Sequence, residues 1–280
     1  MLLGAHVSIA GGINFAPARA HEIGCTAMQI FTRNQRQWTS PPLAEEEVEG
    51  FFAAMEKTQI RSVVAHSSYL INLASPDENQ KQKSLTAFIL EFDRAEMLKL
   101  NGYIFHPGAH KGEGEESGMR RVIEQLNFIM DERPSHKTKI LLETTAGQGT
   151  SLGHSFEQLA EIIHNTAHPE QLGVCLDTCH IFAAGYDFRT KELYEKMMTD
   201  FDRIIGLDKL KAIHINDSKT ELGSRVDRHE LIGKGKIGLE GFSFIMNDIR
   251  LEPVPKIIEL PGGPESDREN LQILRSLIAE

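Results

Sequence analysis

Nine side chains that can ligate a metal are His66, His106, Glu143, Asp177, His180, His214, Asp227, His229 and Glu259. Most stand where an apolar, β-branched run ends, as in SVVAHSS, YIFHPG, ILLETT, GVCLDTCH, AIHIND and IIELP. A carboxylate or imidazole at the end of a buried strand is costly unless something pairs with it. Repeating that placement along one chain implies that the polar groups converge on one site. Imidazole with carboxylate is a ligand set suited to zinc or a similar first-row divalent ion.

The elements that must position these residues are visible as apolar runs. Strands are expected near 2–8, 26–32, 62–68, 102–107, 139–145, 172–178, 211–216 and 256–260. Their spacing of about 35 residues suits a βα unit. Helices are expected over 42–59, which has acids early and Lys late, and over 84–100, stopping at Asn101-Gly102. Another is expected over 155–166, with Ser155 as N-cap and Gln158 completing a capping box, and a closing one over 267–280. Eight βα units predict an α/β protein with one (β/α)₈ TIM barrel spanning 1–280 as a single domain. Active sites of that fold lie at the C-terminal mouth of the strands, where the nine residues fall.

Each small group taken alone has a plainer reading. His66, His106 and Glu143 end the third, fourth and fifth strands, and any one could be a surface or capping residue. Asp177 and His180 form D-x-x-H, with His180 expected on the loop after strand six; a capping Asp with an incidental His would look the same. Asp227 and His229 are two apart, so an extended loop points both one way, but a solvated polar loop also fits. His214 and Glu259 end the last two strands, and Glu259 alone could be a salt-bridged barrel carboxylate. Cys175 and Cys179 are set aside as ligands, because a small buried hydrophobe is the usual role of cysteine in an apolar strand. Gly233 to Gly238 matches G-x-G-x-x-G without its βαβ context. It reads as a phosphate-contacting loop or an ordinary solvated turn. The loop Thr32 to Trp38 groups Arg33, Asn34, Gln35, Arg36 and Gln37 with an indole, able to contact phosphates and stack on bases. Alternatively Trp38 simply anchors a surface loop. Tyr69 and Leu70, just past His66, are either an exposed apolar wedge or loop packing.

Composition bounds the function. The chain has 280 residues, 40% hydrophobic and 25% charged, enough for a large core. Its start, MLLGAHVSIAGG, has no basic n-region or long apolar stretch, so no secretory leader is expected, and no apolar run is long enough to span a membrane. Three cysteines form no disulfide framework, which suits a reducing, cytoplasmic setting. The net charge of −10 does not announce a nucleic-acid binder. Three divalent ions would bring the formal total to about −4, so local basic clusters at 33–36 and 234–236 matter more than the sum.

At this point the chain resembles the endonuclease IV family of metal-dependent apurinic/apyrimidinic endonucleases. The matching stretches cover almost the whole chain: GAHVSIAGG (4–12), RNQRQW (33–38), HSSYLINLA (66–74), FHPGAHKG (105–112), ETTAGQG (143–149), CLDTCHIFAAGYD (175–187), HINDSK (214–219) and GSRVDRHELIGKGKIG (223–238). The resemblance implies a barrel holding three zinc ions, with manganese admissible at one site. His66, His106 and Glu143 would hold one ion. Glu143 would bridge to a second, held also by Asp177, His214 and Glu259. His180, Asp227 and His229 would hold the third. The implied reaction cuts the phosphodiester 5′ to an abasic site in double-stranded DNA, leaving a 3′-hydroxyl, and also removes 3′ blocking groups. Glu259 and Glu143 are the expected catalytic residues. Arg36, Tyr69 and Leu70, with Asn34 and Gln37, are the expected DNA contacts of a monomer. The chain departs from the family pattern at Thr144, where Asn is usual, Leu260, where Thr is usual, and Ala109, where Ser is common.

The chemistry agrees, since clustered cations neutralise a phosphodiester, lower the pKa of water and stabilise a leaving oxygen. Two rivals share part of the pattern: a metal-dependent sugar isomerase on the same barrel, and a zinc-bearing DNA-damage binder without turnover. The isomerase has no evident need of the Arg33–Trp38 loop, and a pure binder has no use for an open polynuclear site.

Overall fold

Runs such as Ala27–Phe31 and Leu172–Asp177 are buried along nearly their whole length, the mark of strands covered on both faces. A computed structural model describes residues 1–279. Its strands are β1 (Leu3–His6), β2 (Ala27–Phe31), β3 (Ser62–His66), β4 (Gly102–Phe105), β5 (Lys139–Glu143), β6 (Leu172–Asp177), β7 (Leu210–His214), β8 (Asp217–Ser218), β9 (His229–Glu230) and β10 (Lys256–Ile258). Eight of them close a parallel barrel in the order β1-β10-β7-β6-β5-β4-β3-β2, and β8 and β9 form a separate antiparallel ribbon. All eight expected strands are present, each ending earlier than expected, and the one expected from 211 begins at Leu210.

The α-helices are α1 (Ala16–Glu22), α2 (Glu45–Met55), α3 (Glu78–Met97), α4 (Glu115–Asp131), α5 (Phe156–His164), α6 (Thr178–Ala184), α7 (Lys191–Ile204), α8 (Leu239–Asn247) and α9 (Pro264–Ser276). The helix expected at 84–100 begins earlier, because the Asp77 side chain accepts the Gln80 N–H and caps it. It also stops before Asn101-Gly102. Lys99 takes a left-handed conformation, and Gly102 already belongs to β4. In α5 Ser155 caps as expected, but Gln158 turns its carbonyl to the Gly153 N–H instead of completing a capping box. The closing helix starts at Pro264 and ends at Ser276; residue 280 of the expected span lies outside the described residues. Among the described residues no helix is long and apolar enough to cross a membrane.

The barrel has two apolar layers. The larger lies between strands and helices, and the smaller fills the barrel interior with Ala27, Val64, Ile104, Leu141, Cys175, Ala212 and Ile257. Strand side chains alternate faces, so the residue two further on returns to the interior one layer nearer the mouth. Those residues are Gln29, His66, His106, Glu143, Asp177, His214 and Glu259. Strand β1 contributes His6, two past Gly4, whose backbone lies so close to the Ala27 carbonyl that a Cβ would collide with it. The convergence of polar groups is therefore a consequence of strand periodicity.

At the opposite end of β10, Lys256 is buried and donates to the carbonyls of Leu251 and Val254. Burial pushes its ammonium down to about 8. Because the folded value lies below the ordinary 10.5, folding carries a penalty while the group is charged in both states, and this penalty is relieved between those two pH values. Relative to Lys256→Met, the wild-type protein should gain about 2 kcal/mol of stability in urea unfolding between pH 7.5 and pH 10. A pH-independent difference would show that the ammonium is solvated.

Candidate metal centre

Glu143, the last residue of β5, lies at the centre of the mouth and is buried. His66 Nε2 is 2.8 Å and His106 Nε2 3.1 Å from its Oε2. His214 Nδ1 is 2.9 Å and His180 Nδ1 3.3 Å from its Oε1. His214 Nδ1 also lies 3.2 Å from Glu259 Oε2 and 3.7 Å from Asp177 Oδ2. His180 Nε2 is 3.1 Å from Asp227 Oδ2, and His229 Nε2 is 3.4 Å from Asp227 Oδ1. All nine residues singled out in the sequence meet here. His180 is not on a loop as expected. It lies in the first turn of α6, whose N-cap is Asp177 itself, with the Asp177 carboxylate accepting the His180 N–H. His229 is placed by the β8–β9 ribbon, where it faces Ser218.

The outer partners decide what the imidazoles can do. A backbone carbonyl only accepts, so the ring nitrogen facing it carries a proton. His66 Nδ1 faces Ser67 O at 2.7 Å, His180 Nδ1 faces Thr144 O at 2.8 Å, and His229 Nδ1 faces Glu259 O at 2.9 Å. In the neutral ring each Nε2 is then a lone pair pointing into the cluster. The His214 ring is set the other way round, with Nε2 2.7 Å from Gln29 Oε1, which leaves Nδ1 inward. Lone pairs facing carboxylate oxygens at hydrogen-bond distance require a proton or a cation between them. His229 Nε2 is in addition buried with no hydrogen-bond partner. This donor set fits divalent ions.

The acids and imidazoles of the cluster stabilise one another's charged forms. Burial alone would raise the Glu143 carboxyl, but His214 and His106 overcome it and hold it well below the carboxylate range. Burial likewise opposes ionisation of Glu259, and His214, His6 and His66 keep it ionised. Asp227 falls to about 2 against its own burial, through His180 and His229. His180 and His214 rise well above 6.5, since the neighbouring acids outweigh the desolvation of their rings.

Three groups, Gln29, His6 and Asn216, are not singled out by the sequence, and a fourth, Thr144, is singled out only as a departure from the family pattern. Gln29 Nε2 donates to Glu259 Oε1 at 2.5 Å while its Oε1 faces His214. His6 Nδ1 lies 3.1 Å from that same Glu259 oxygen. Asn216 donates to Asp177 Oδ2 at 2.7 Å and accepts the Glu259 N–H at 2.7 Å. Thr144, a departure from the family pattern, accepts the Asp177 N–H on its hydroxyl at 2.8 Å. The other departures leave backbone contacts in place. Ala109 exchanges main-chain bonds with the Asn72 amide, and Leu260 packs on the core. Gln29 and His6 were findable, because both occupy the mouth layer of their strands.

Two expectations about loops change. Arg33 is buried and does not face solvent. Arg36, Asn34 and Gln37 are exposed on the same loop, and Trp38 packs against the core. Tyr69 is exposed and Leu70 half-buried in the turn after β3. In the glycine-rich loop the N–H groups of Gly233, Gly235 and Ile237 all donate to the Asp217 carboxylate, at 2.9 to 3.0 Å. The nest is filled by the protein's own anion and is neither a phosphate cradle nor an open turn. Cys175 is buried in the barrel interior, as expected of a small hydrophobe, and burial raises its thiol to about 12. Cys179 lies close enough to Asp177 and His229 to share a cation with them, but burial pushes its thiol to about 12 as well.

Clefts open on both sides of the cluster. One of about 580 Å³ is bounded by His6, Phe31 and Asn34, the other of about 250 Å³ by His106, His180 and Asp227.

A parallel barrel with this cluster at its mouth defines a class, and residues 17–277 match the family described as the xylose isomerase-like TIM barrel. A probable endonuclease 4 of Geobacter sulfurreducens is 52% identical over 99% of this chain and 94% of its own length. The crystal structure of endonuclease IV from Thermus thermophilus superposes with a TM-score of 0.88 at 36% identity, covering 99% of this chain and 98% of that one. The chain belongs to the endonuclease IV family and is a hydrolase that cuts DNA. A D-tagatose 3-epimerase-like protein, 18% identical, has a TM-score of 0.75 over 99% of this chain and 97% of its own, a likeness of fold alone.

Gln29 touches no expected substrate but holds both His214 and Glu259. Gln29→Leu should lower metal affinity about 10- to 100-fold in competition with a chelator, at unchanged fold by circular dichroism. Unchanged affinity would show that strand packing alone sets those two ligands.

Proposed function

We propose that this enzyme hydrolyses the phosphodiester 5′ to abasic sites in double-stranded DNA, leaving a 3′-hydroxyl, and clears blocked 3′ ends, with three zinc ions as cofactors and manganese admissible at one site. The observation that carries this reading is the sorting of ligand atoms into overlapping sets. Atoms of His66, His106 and Glu143 lie within 4.8 Å of one another, as do those of Glu143, Asp177, His214 and Glu259, and those of His180, Asp227 and His229. These are the three groups that the family resemblance implies, with Glu143 shared between two. Every member comes from one chain, which suits a monomer acting as a single domain. Three free buried cysteines suit the reducing cytoplasm.

Divalent ions held by these groups would neutralise phosphate charge and lower the pKa of water. The protein's own part is orientation. Gln29 and His6 engage one oxygen of Glu259 and leave the other facing the cluster. In this reading Glu259 would orient or deprotonate the attacking water, and Glu143 would be the ligand common to two of the ion-binding groups. The acids need cations or protonated histidines as partners, and bound cations would supply the positive charge that an anionic substrate meets.

Elemental analysis of the purified protein should find about three divalent ions per chain, as nine ligands in groups of three or more require. Glu259→Gln should cut single-turnover cleavage of an abasic duplex by about 10²- to 10⁴-fold while binding of that duplex survives better. Zero or one ion at full occupancy, or near-wild-type cleavage by the metal-loaded variant, would overturn the respective assignment.

Arg36, Tyr69 and Leu70 are the proposed lesion contacts. An abasic nucleotide lacks base stacking and pairing, so extruding it costs less than extruding a normal one. A side chain wedged into the stack can offset part of the unstacking cost, about a few kcal/mol per step. Tyr69→Ala with Leu70→Ala should therefore weaken cleavage of abasic duplex more than removal of a 3′ block from a flexible end, with metal content intact. Equal losses on the two substrates would indicate a collapsed loop, and no loss on the duplex would place lesion recognition elsewhere.

A further inference from the structure

Beneath the two loops that carry Arg36 and Tyr69 lies a buried polar network that the metal centre does not use. Arg33 turns inward and its Nη2 pairs with Glu91 Oε1 on α3; the two side chains are 1% and 2% exposed. The other Glu91 oxygen accepts the Ser68 N–H at 2.9 Å and the Tyr103 hydroxyl at 2.8 Å. Ser68 in turn donates its hydroxyl to Gln35 O at 2.7 Å. Arg33 also donates to the carbonyls of Asn34 and Gln37, curling the loop around its own guanidinium. One turn along the same face of α3, Arg94 donates to Thr32 O at 2.8 Å and Pro41 O at 2.7 Å. Helix α3 thus grips both ends of the first loop, its middle through Arg33, and the start of the second loop.

A buried ion pair is weak evidence for stability, because well-packed apolar residues often do as well. The directional bonds that this carboxylate accepts from Ser68 and Tyr103, with the close approach of the Arg33 guanidinium to its other oxygen, however, fix geometry. Here one carboxylate is shared by the two segments. Its oxygens set the distance between the backbone at Ser68, one residue before Tyr69, and the guanidinium of Arg33, three residues before Arg36. We propose that Glu91 is a positioning residue for lesion recognition, holding Arg36 on one loop and Tyr69 and Leu70 on the other at a fixed separation so that they enter the duplex together. This rests on the reading of those three residues as lesion contacts. Positioning errors of about 1 Å far from the reacting atoms can cost as much as 100-fold in rate.

The test uses Glu91→Gln, which keeps shape and the acceptor for Ser68 and Tyr103 but sets an amide against Arg33. A second variant, R33M/E91M, replaces the pair by apolar residues of similar length and covers the case in which Glu91→Gln fails to fold. Both are assayed on abasic duplex DNA and on bis(4-nitrophenyl) phosphate, a small phosphodiester that needs the metal centre and no loop insertion. On the duplex kcat/KM should fall about 10- to 100-fold, chiefly through KM. On the small ester both constants should stay within about twofold, with metal content unchanged. Equal losses on the two substrates, or wild-type behaviour on the duplex, would overturn the role of Glu91. Two controls separate the layers. A wild-type protein that does not prefer abasic over intact duplex, or a Tyr69→Ala variant that cleaves abasic duplex normally, removes the lesion reading and this inference with it. A preference intact in wild type, lost in Tyr69→Ala and kept in both Glu91 variants overturns this inference alone.

Discussion

Glu143 is a carboxylate with almost no access to water, faced by four imidazoles. An unpaired charge there would be untenable, so everything around it is arranged to keep it paired. Closing the sheet brings the strand ends within reach, and strand alternation turns the correct side chains inward. The carbonyls of Ser67, Thr144 and Glu259 then fix which nitrogen of His66, His180 and His229 carries the proton, and the Gln29 side chain does the same for His214. For the first three rings the same backbone therefore determines tautomer as well as position. Asn216 ties two strands' worth of acids together through one amide and is itself held by main-chain bonds to the Thr178 hydroxyl.

The architecture was legible because both of its periods are simple. Eight apolar runs about 35 residues apart leave few alternatives to a βα barrel, and acids and histidines at run ends are conspicuous against buried surroundings. The same register argument applied to Gln29 and His6 would have added them. A glutamine carries no signature of a metal-site residue, and His6 stands at the end of a four-residue first strand too short to show its period. His180 was misplaced by one element, since a helix as short as α6 leaves little periodicity to read and begins directly at the strand end. Loop composition proved the weakest guide. Arg33 and Arg36 are indistinguishable as letters, yet one is buried and the other exposed. The cue lay 58 positions away, in a Glu91 on the apolar face of α3 that needed a cation. Long-range pairing of this kind has no local signature.

Fold alone would not have separated the rival readings. The barrel is shared with an epimerase-like protein at 18% identity, and one fold hosts many chemistries. What distinguishes this chain is written in its mouth: the multiplicity of ligands, the shared carboxylate, and two loops clamped to one helix. The sugar-isomerase alternative accounts for the first of these in part and for the last not at all.

The clasp of the glycine-rich loop around Asp217 separates scaffold from surface. Gly233, Gly235 and Ile237 commit their backbone donors to an interior anion, and Lys236 commits its N–H to Ser218 O. Gly235 has no room for a side chain against Ser218 and Asp217. The lysine side chains at 234 and 236 are exposed and take no part in holding the loop to Asp217. The loop's shape is therefore set by the backbone donors of alternate positions, while the Lys236 ammonium pairs with Glu221 at 2.6 Å. The charge that the loop carries at Lys234 can thus change without disturbing the bonds that fold it.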